Sequence, residues 1–377
     1  MRNIIKSILL ALLVLLSPSF IHASKQAKMA KKSGEIRIKD VSPHKTLRLN
    51  YNYGEMELVF WDKNEIVLKY DECVRASSQK RADEILQQRI AIKSIEGHYF
   101  RVGKTDDSSV SFNSKWTVYV PSHISSVAAS NSFGNITVGK GFSGLIRIDV
   151  QNGDVNIPET KAMCVVEVTH GNFYVGNAAY LNMTTKHANG TIAFAQILKV
   201  QAEHADFCKI DKADVMTINS KHSKIKVGNV GQLSSQGSYS TLEVNELSGL
   251  ANIRDMQHST IEMDKFLGKL DATDLSYSKL NITISKFNHT PFIMVTDLDY
   301  TDVKVKLPAS LRTSTYVNGK GSCRSISSGT AKIKSSAPWS SPNGISSHVF
   351  QNTESFTPNS LIDINNESYG TILIEEY

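Results

Sequence analysis

The residues whose types and spacing could do chemistry fall into two columns. His222, Tyr239, His258, Tyr277 and Tyr300 recur at intervals of 17, 19, 19 and 23 residues, each followed by Ser or Thr and an alternating polar–apolar run. Phe133, Asn152, His170, Asn189 and Ala205 extend that column backwards, with Tyr53 and Tyr369 as outlying members. If the copies stack as neighbouring strands, the rings sit about 4.8 Å apart. Such a ladder could offer a platform to sugar faces or a protein partner, or it could simply stabilise the turn it sits in. His170, His222 and His258 do not fall on adjacent copies and are not read as metal ligands. The second column is Asp255, Asp274 and Asp297, preceded by Asn219 and Gln236. Stacked carboxylates repel unless a cation relieves them, and Ca²⁺ with its preference for oxygen ligands is the candidate. Side chains pointing into water are the alternative. With Arg254 and Lys279 nearby in the chain, the same aspartates could serve a polysaccharide lyase or hydrolase. The sequence has no Gly-x-Ser-x-Gly, no His-Glu-x-x-His, no phosphate loop and no dinucleotide fingerprint. The expectation is therefore a protein without catalysis.

Both columns belong to a repeat. Phe133-Gly134-Asn135-Ile136-Thr137-Val138, His170-Gly171-Asn172-Phe173-Tyr174-Val175 and Tyr277-Ser278-Lys279-Leu280-Asn281-Ile282 are copies of one phrase. Its first apolar position reads Ile136, Val155, Phe173, Ile192, Cys208, Ile225, Leu242, Ile261, Leu280 and Val303. Two residues on it reads Val138, Ile157, Val175, Phe194, Ile210, Val227, Val244, Met263, Ile282 and Val305. In, out, in is a strand with one buried face. A second strand precedes the turn, clearest at Ile146-Ile148-Val150. One such unit cannot bury its own apolar face, whereas stacked units enclose a continuous core. The reading is an all-β fold, a right-handed single-chain parallel β-helix, since parallel crossovers are nearly always right-handed. Antiparallel hairpins in a sandwich are the competing arrangement. The residue after the ring column is small: Gly134, Gly153, Gly171 and Gly190, then Ser223, Ser240, Ser259, Ser278 and Thr301. A tight corner explains it.

The flanks set the address and the boundaries. Arg2 and Lys6, the apolar run from Ser7 to Leu16, and Ile21-His22-Ala23 read as a signal peptide over 1–23. The run is too short to anchor in a bilayer, so the mature chain is expected to be exported, without an integral membrane segment, to the periplasm, the cell surface or the medium. Residues 24–125 read as a β-rich cap with one short helix from Ser78 to Gln88, its stripe being Ala82, Ile85 and Leu86. Residues 126–306 carry the repeats, and 307–377 a Ser/Gly/Pro-rich stretch and closing strands. The 42 basic and 36 acidic residues give a net charge of +6, with no basic run interleaved with aromatics, which argues against nucleic acid as a partner. Cys73, Cys164, Cys208 and Cys323 show no zinc or knot spacing. Cys208 falls on an apolar column, and pairing of Cys73 with Cys323 stays open.

Three features carry a family resemblance. They are the stretch from Tyr51 through Tyr53-Gly54-Glu55-Met56 to Trp61-Asp62-Lys63-Asn64, the phrase Trp116-Thr117-Val118-Tyr119-Val120-Pro121 leading to Ser132-Phe133-Gly134-Asn135-Ile136, and the run of Asn/His-Gly-polar-apolar corners. In their order they resemble the adhesin-like family of exported bacterial β-helix proteins, the head-GIN type and related domains of unknown function. The resemblance covers roughly residues 34–377. It implies a secreted or envelope protein of Bacteroidota-like bacteria with a surface binding or scaffold role, towards glycan or surface protein. It supplies no catalytic residue. The later Tyr/His-Ser corners depart from the family's Gly.

Overall fold

In a computed structural model the chain forms a β-solenoid of about nine turns with a β-rich N-terminal region and one short helix. The structure describes residues 28–43, 46–90, 93–95, 99–101, 111–285, 292–308, 313–319, 322–326, 334–340, 346–351, 360–366 and 370–377. The signal-peptide segment and Tyr369 lie outside the described residues. No described helix is long and apolar enough to cross a membrane.

The N-terminal region holds β1 (Lys28–Lys39), β2 (Thr46–Tyr51), β3 (Glu55–Trp61), β4 (Glu65–Ala76), α1 (Gln79–Ile90), β5 (Lys93–Ile95), β6 (Tyr99–Arg101) and β7 (Ser111–Pro121). The regular rod follows. It runs through β8 (Ser126–Asn131), β9 (Ile136–Val138), β10 (Leu145–Val150) and five long bent strands: β11 (Val155–Thr169), β12 (Asn172–Lys186), β13 (Asn189–Glu203), β14 (Cys208–Lys221) and β15 (Lys224–Ser238). It continues through β16 (Thr241–Leu247), β17 (Leu250–Gln257), β18 (Thr260–Phe266), β19 (Lys269–Ser276), β20 (Lys279–Ile284), β21 (Phe292–Asp299) and β22 (Asp302–Leu307). The last strands are β23 (Thr313–Gly319), β24 (Ser322–Ile326), β25 (Lys334–Ser340), β26 (Ser346–Gln351), β27 (Ser360–Asn366) and β28 (Thr371–Glu376).

Every pairing within the rod is parallel, each coil lying on the equivalent residues of the next. Inward side chains merge into a single buried cluster that runs the length of the stack. Each large aliphatic side chain buried there contributes about 1.5–3 kcal/mol.

The register corrects the sequence reading at one coil. Phe173 pairs with Gly190 and Gly190 with Cys208, so Gly190, not Ile192, occupies the first apolar column. Ile192 aligns with Val175 and Ile210, and Phe194 moves out of the core to face Asn177 and Lys212. The constraint is steric: a Cβ on Gly190 would run into the Phe173 carbonyl and, behind it, the Phe173 ring. Ala188 and Ala205 then take the small corner position, and both are fully buried.

Two devices build the corner. In the early coils Gly54, Gly134, Gly153 and Gly171 stack, and a Cβ on any of the last three would land on the carbonyl of the glycine below. In the later coils a hydroxyl replaces the close approach. Ser240 Oγ donates to Ser238 O at 2.9 Å and accepts from the Ser223 N–H at 3.3 Å. Ser223, Ser259, Ser278 and Thr301 repeat the pattern on their own coils. The change from Gly to Ser therefore exchanges backbone contact for a buried hydrogen-bond ladder.

The ends are closed out of chain order. β2 and β3 lie inside the stack, parallel to β8 and β9 on one side and to β6 and β7 on the other. Antiparallel β4 and then β1 continue from β7. The stripe Ala82, Ile85 and Leu86 of α1 packs on Ala30, Val74 and Ala76. At the other end β27 and β28 insert between the β21–β22 coil and β23–β24. Antiparallel β26 and β25 follow. Cys73 in β4 and Cys323 in β24 thus sit at opposite ends of the rod, which excludes their pairing; Cys73, Cys164 and Cys208 are free thiols. Burial pushes the Cys164 and Cys208 thiols up to about 12.

A buried polar knot ties cap to rod. Arg89 Nε donates to Glu72 at 2.9 Å with both side chains fully buried, and Arg89 also reaches the Tyr53 carbonyl at 3.2 Å. Tyr51, Ser114 and Trp116 donate to the same carboxylate.

Substituting Gly171→Ala is expected to cost about 1–3 kcal/mol through overpacking, and Ser240→Ala a similar about 1–3 kcal/mol by orphaning the Ser223 amide. Ser240→Thr, which keeps the hydroxyl, should retain most of the stability. Urea unfolding followed by circular dichroism measures all three; unchanged midpoints for the first two would contradict this account of the corner.

Candidate binding face

The ring column is longer than the sequence suggested. His170, His187, His204, His222, Tyr239, His258, Tyr277 and Tyr300 stack without interruption, with centroids 4.7–5.1 Å apart and interplanar angles of 2–15°. Tyr53 and Phe133 form a separate stacked pair. His187 and His204 replace Asn189 and Ala205, the members chosen from sequence. The signal that could have found them was the buried alanine following each histidine, which matches the Gly and Ser of other copies.

All eight rings sit on backbone with φ between 48° and 55°. That left-handed conformation costs an ordinary residue about 1–2 kcal/mol, and His tolerates it better than most. The corner thus supplies a folding reason for the column's composition. Stacking also decides what the ladder presents. Within the run each ring face is covered by its neighbour, so between its ends solvent meets ring edges, with Tyr239, Tyr277 and Tyr300 exposed at 53%, 54% and 49%. A sugar cannot lie on covered faces; it can meet a row of phenol and imidazole edges. Nearly parallel imidazoles 4.9 Å apart do not converge on one metal ion, which needs nitrogens about 2.0–2.1 Å away.

The second column has a backbone cause too. Asp255, Asp274 and Asp297 have φ of 49°, 56° and 53° and fall at equivalent unpaired positions on successive coils. Short polar side chains visit this conformation routinely. The three are exposed, and Asp297 accepts from Thr273 Oγ1 at 2.9 Å. Arg254 pairs with Asp271 rather than with these aspartates. Among the described residues no group of three or more His, Cys, Asp or Glu side chains is placed to hold a metal ion.

Between two corners lies a face absent from the sequence reading. It is the outer surface of β8, β10 and the C-terminal halves of β11 to β15. At one margin stands the ring ladder. At the other stands an apolar ridge in which Met163, Tyr180, Ile197 and Val215 are aligned on consecutive coils, with Leu145 beside Met163. Leu145, Met163, Ile197 and Val215 are 40%, 43%, 46% and 40% exposed. The margins are roughly 20 Å apart, given about 3.3 Å per strand residue. Three columns cross the face. One runs Arg147, Val165, Asn182, Lys199, Thr217, Ser234, a second Asp149, Glu167, Thr184, Gln201, Asn219, and a third, beside the rings, Thr169, Lys186, Glu203, Lys221, Ser238. Amide and hydroxyl side chains recur in all three, and Lys186 pairs with Glu203 at 3.5 Å. The following strand segments carry ion pairs as well, such as Glu243 with Lys224 and Lys226 at 2.7 and 2.8 Å. Those two lysines hold the Glu243 carboxyl below its usual range.

A pocket opens where β2, β8 and β10 meet, lined by Arg48, Asn50, Ala128, Ser130, Arg147 and Asp149 among others. Partial burial, and after it the Glu167 charge, raises the Asp149 carboxyl above its ordinary range, against the pull of Arg147.

Comparison with known proteins adds little. No family model matches the chain, and no curated protein matches it. One solved structure, provisionally described as a cell adhesion protein from Clostridium sporogenes ATCC 15579, aligns over 92% of this chain and 100% of its own. The identity is 10% and the TM-score 0.22, a likeness that carries no argument.

Because the native state holds the Asp149 proton more tightly than the unfolded chain does, its ionisation destabilises the fold as pH rises above about 4. Asp149→Asn is expected to raise the unfolding midpoint at pH 7 and to lose that advantage at pH 3. Equal shifts at both pH values in thermal melts would contradict the assignment.

Proposed function

We propose that this is a non-catalytic binding protein of the bacterial envelope or exterior, exported through its N-terminal signal, with the face between ladder and ridge as its docking surface for glycan. The observation that supports this most directly is the composition of that face. Rows of amide and hydroxyl groups lie on a rigid sheet, bordered by exposed ring edges and exposed aliphatic side chains. Sugars present hydroxyls and apolar C–H patches in the same alternation, and sites built on rigid strands lose little entropy on binding. The resemblance to the adhesin-like, head-GIN family favours the same role. A scaffold role without ligand is the competing proposal, and a lyase using Asp255, Asp274 and Asp297, with or without Ca²⁺, is the catalytic one.

Two measurements test the reading. On an array of neutral and acidic oligosaccharides, the wild type should retain at least one class, and replacing Thr184, Gln201 and Asn219 together by Ala should weaken it by about tenfold or more. Retention unchanged in that variant sinks the proposed face. In a secreting bacterial host, the mature chain is expected to begin at Ser24; an uncut N-terminus in the recovered protein would overturn the export assignment.

A further inference from the structure

We propose that Arg48 and Arg147 form a subsite for an acidic sugar residue, one bearing a carboxylate or sulfate group, at the N-terminal end of the binding face. The inference rests on the glycan-binding reading above and deepens it. In the stack, Arg48, Ala128 and Arg147 occupy one register on three adjacent strands, and Asn50, Ser130 and Asp149 occupy the register two residues on. The two arginines therefore rise from strands about 9.6 Å apart, twice the strand spacing, with the short Ala128 side chain between them. The gap is a cavity of about 170 Å³.

Charge pairing separates these two arginines, together with Arg75, from Arg37, Arg81, Arg89 and Arg254. Arg37 pairs with Glu65, Arg89 with Glu72, Arg254 with Asp271 and Arg81 with Glu84. Among the described residues Arg48 and Arg147 make no such ion pair. Two guanidinium forks bracketing a small floor suit a planar or tetrahedral anion, to which Arg donates bidentate hydrogen bonds. The far wall is different. Asn50, Ser130 and the half-buried Asp149 offer acceptors and hydroxyl partners, and a carboxylate there repels a second anionic group. The ligand that satisfies both walls carries its charge at one end and hydroxyls at the other. The volume, that of about six waters, holds one sugar unit rather than a chain. Neighbouring units of a polysaccharide would extend over the amide and hydroxyl columns of the same face.

Calorimetric titration of the full chain tests this with three probes: oligogalacturonate, a sulfated carrageenan oligosaccharide and a neutral cello-oligosaccharide. At least one acidic probe should bind about tenfold or more tighter than the neutral one, and the stronger acid identifies the anion. Arg48→Ala and Arg147→Ala should each remove most of that preference. Ala128→Leu, which fills the floor without touching a charge, should remove it as well. Circular dichroism melts verify that the variants are folded. If the wild type prefers the neutral probe, or if the double arginine variant binds acids as well as the wild type, the subsite is wrong and the wider binding face stands. If no probe binds, both proposals fall.

Discussion

Parallel stacking in register is the constraint from which the rest of this structure follows. Each residue lies one strand spacing from its own equivalents above and below, so every column must tolerate itself. Glycine on glycine, serine on serine and ring on ring are the solutions found along one corner. The left-handed backbone at that corner is unfavourable for each His or Tyr taken alone. It persists because the same turn recurs, letting the buried hydroxyls bond to the next coil and the rings cover one another. The strain and its compensation are thus distributed along the rod rather than concentrated at one site.

A stack has ends, and unpaired strand edges invite association. Both ends here use the same topological device. A coil from the outer part of the chain slips in against the regular rod, and a segment from further in along the chain forms the coil beyond it. Antiparallel strands then finish the sheet. At the N-terminal end the outermost strand, β1, carries Lys28, Lys31, Lys32 and Lys39, charges that discourage edge pairing. The Arg89–Glu72 knot fastens this cap to Tyr51 and to the Tyr53 corner. Closing the ends therefore depends on contacts distant in sequence, whereas the middle depends on neighbours about one coil away.

The faces differ because their columns do. On one, Lys224 and Lys226 meet Glu243 of the next coil. On the other, amide and hydroxyl side chains recur between the charged ones, and among the described residues Arg48 and Arg147 make no ion pair. A rod whose core columns are so strictly fixed can vary its outer columns at little cost to folding, and that is where specificity for a ligand can be written.

The sequence by itself determined the solenoid. Alternation of Ile136-Thr137-Val138 and its copies fixes which side chains are buried, and the small residue before each run fixes the corner. Local pattern suffices because each coil is a local unit. The helix stripe of Ala82, Ile85 and Leu86 was legible for the same reason. What only the tertiary structure decided were relations between coils. The register at Gly190 depends on the close approach of Phe173 in the coil beneath, which no single copy reveals. The continuity of His170, His187, His204 and His222 follows from that register. The burial of ring faces, the apolar ridge from Leu145 to Val215 and the Arg48–Arg147 pair, 99 positions apart in the chain, arise only when strands are set side by side. Periodicity names the residues that must face inward; it is silent on which outward residues become neighbours, because that depends on how far each coil is shifted against the next.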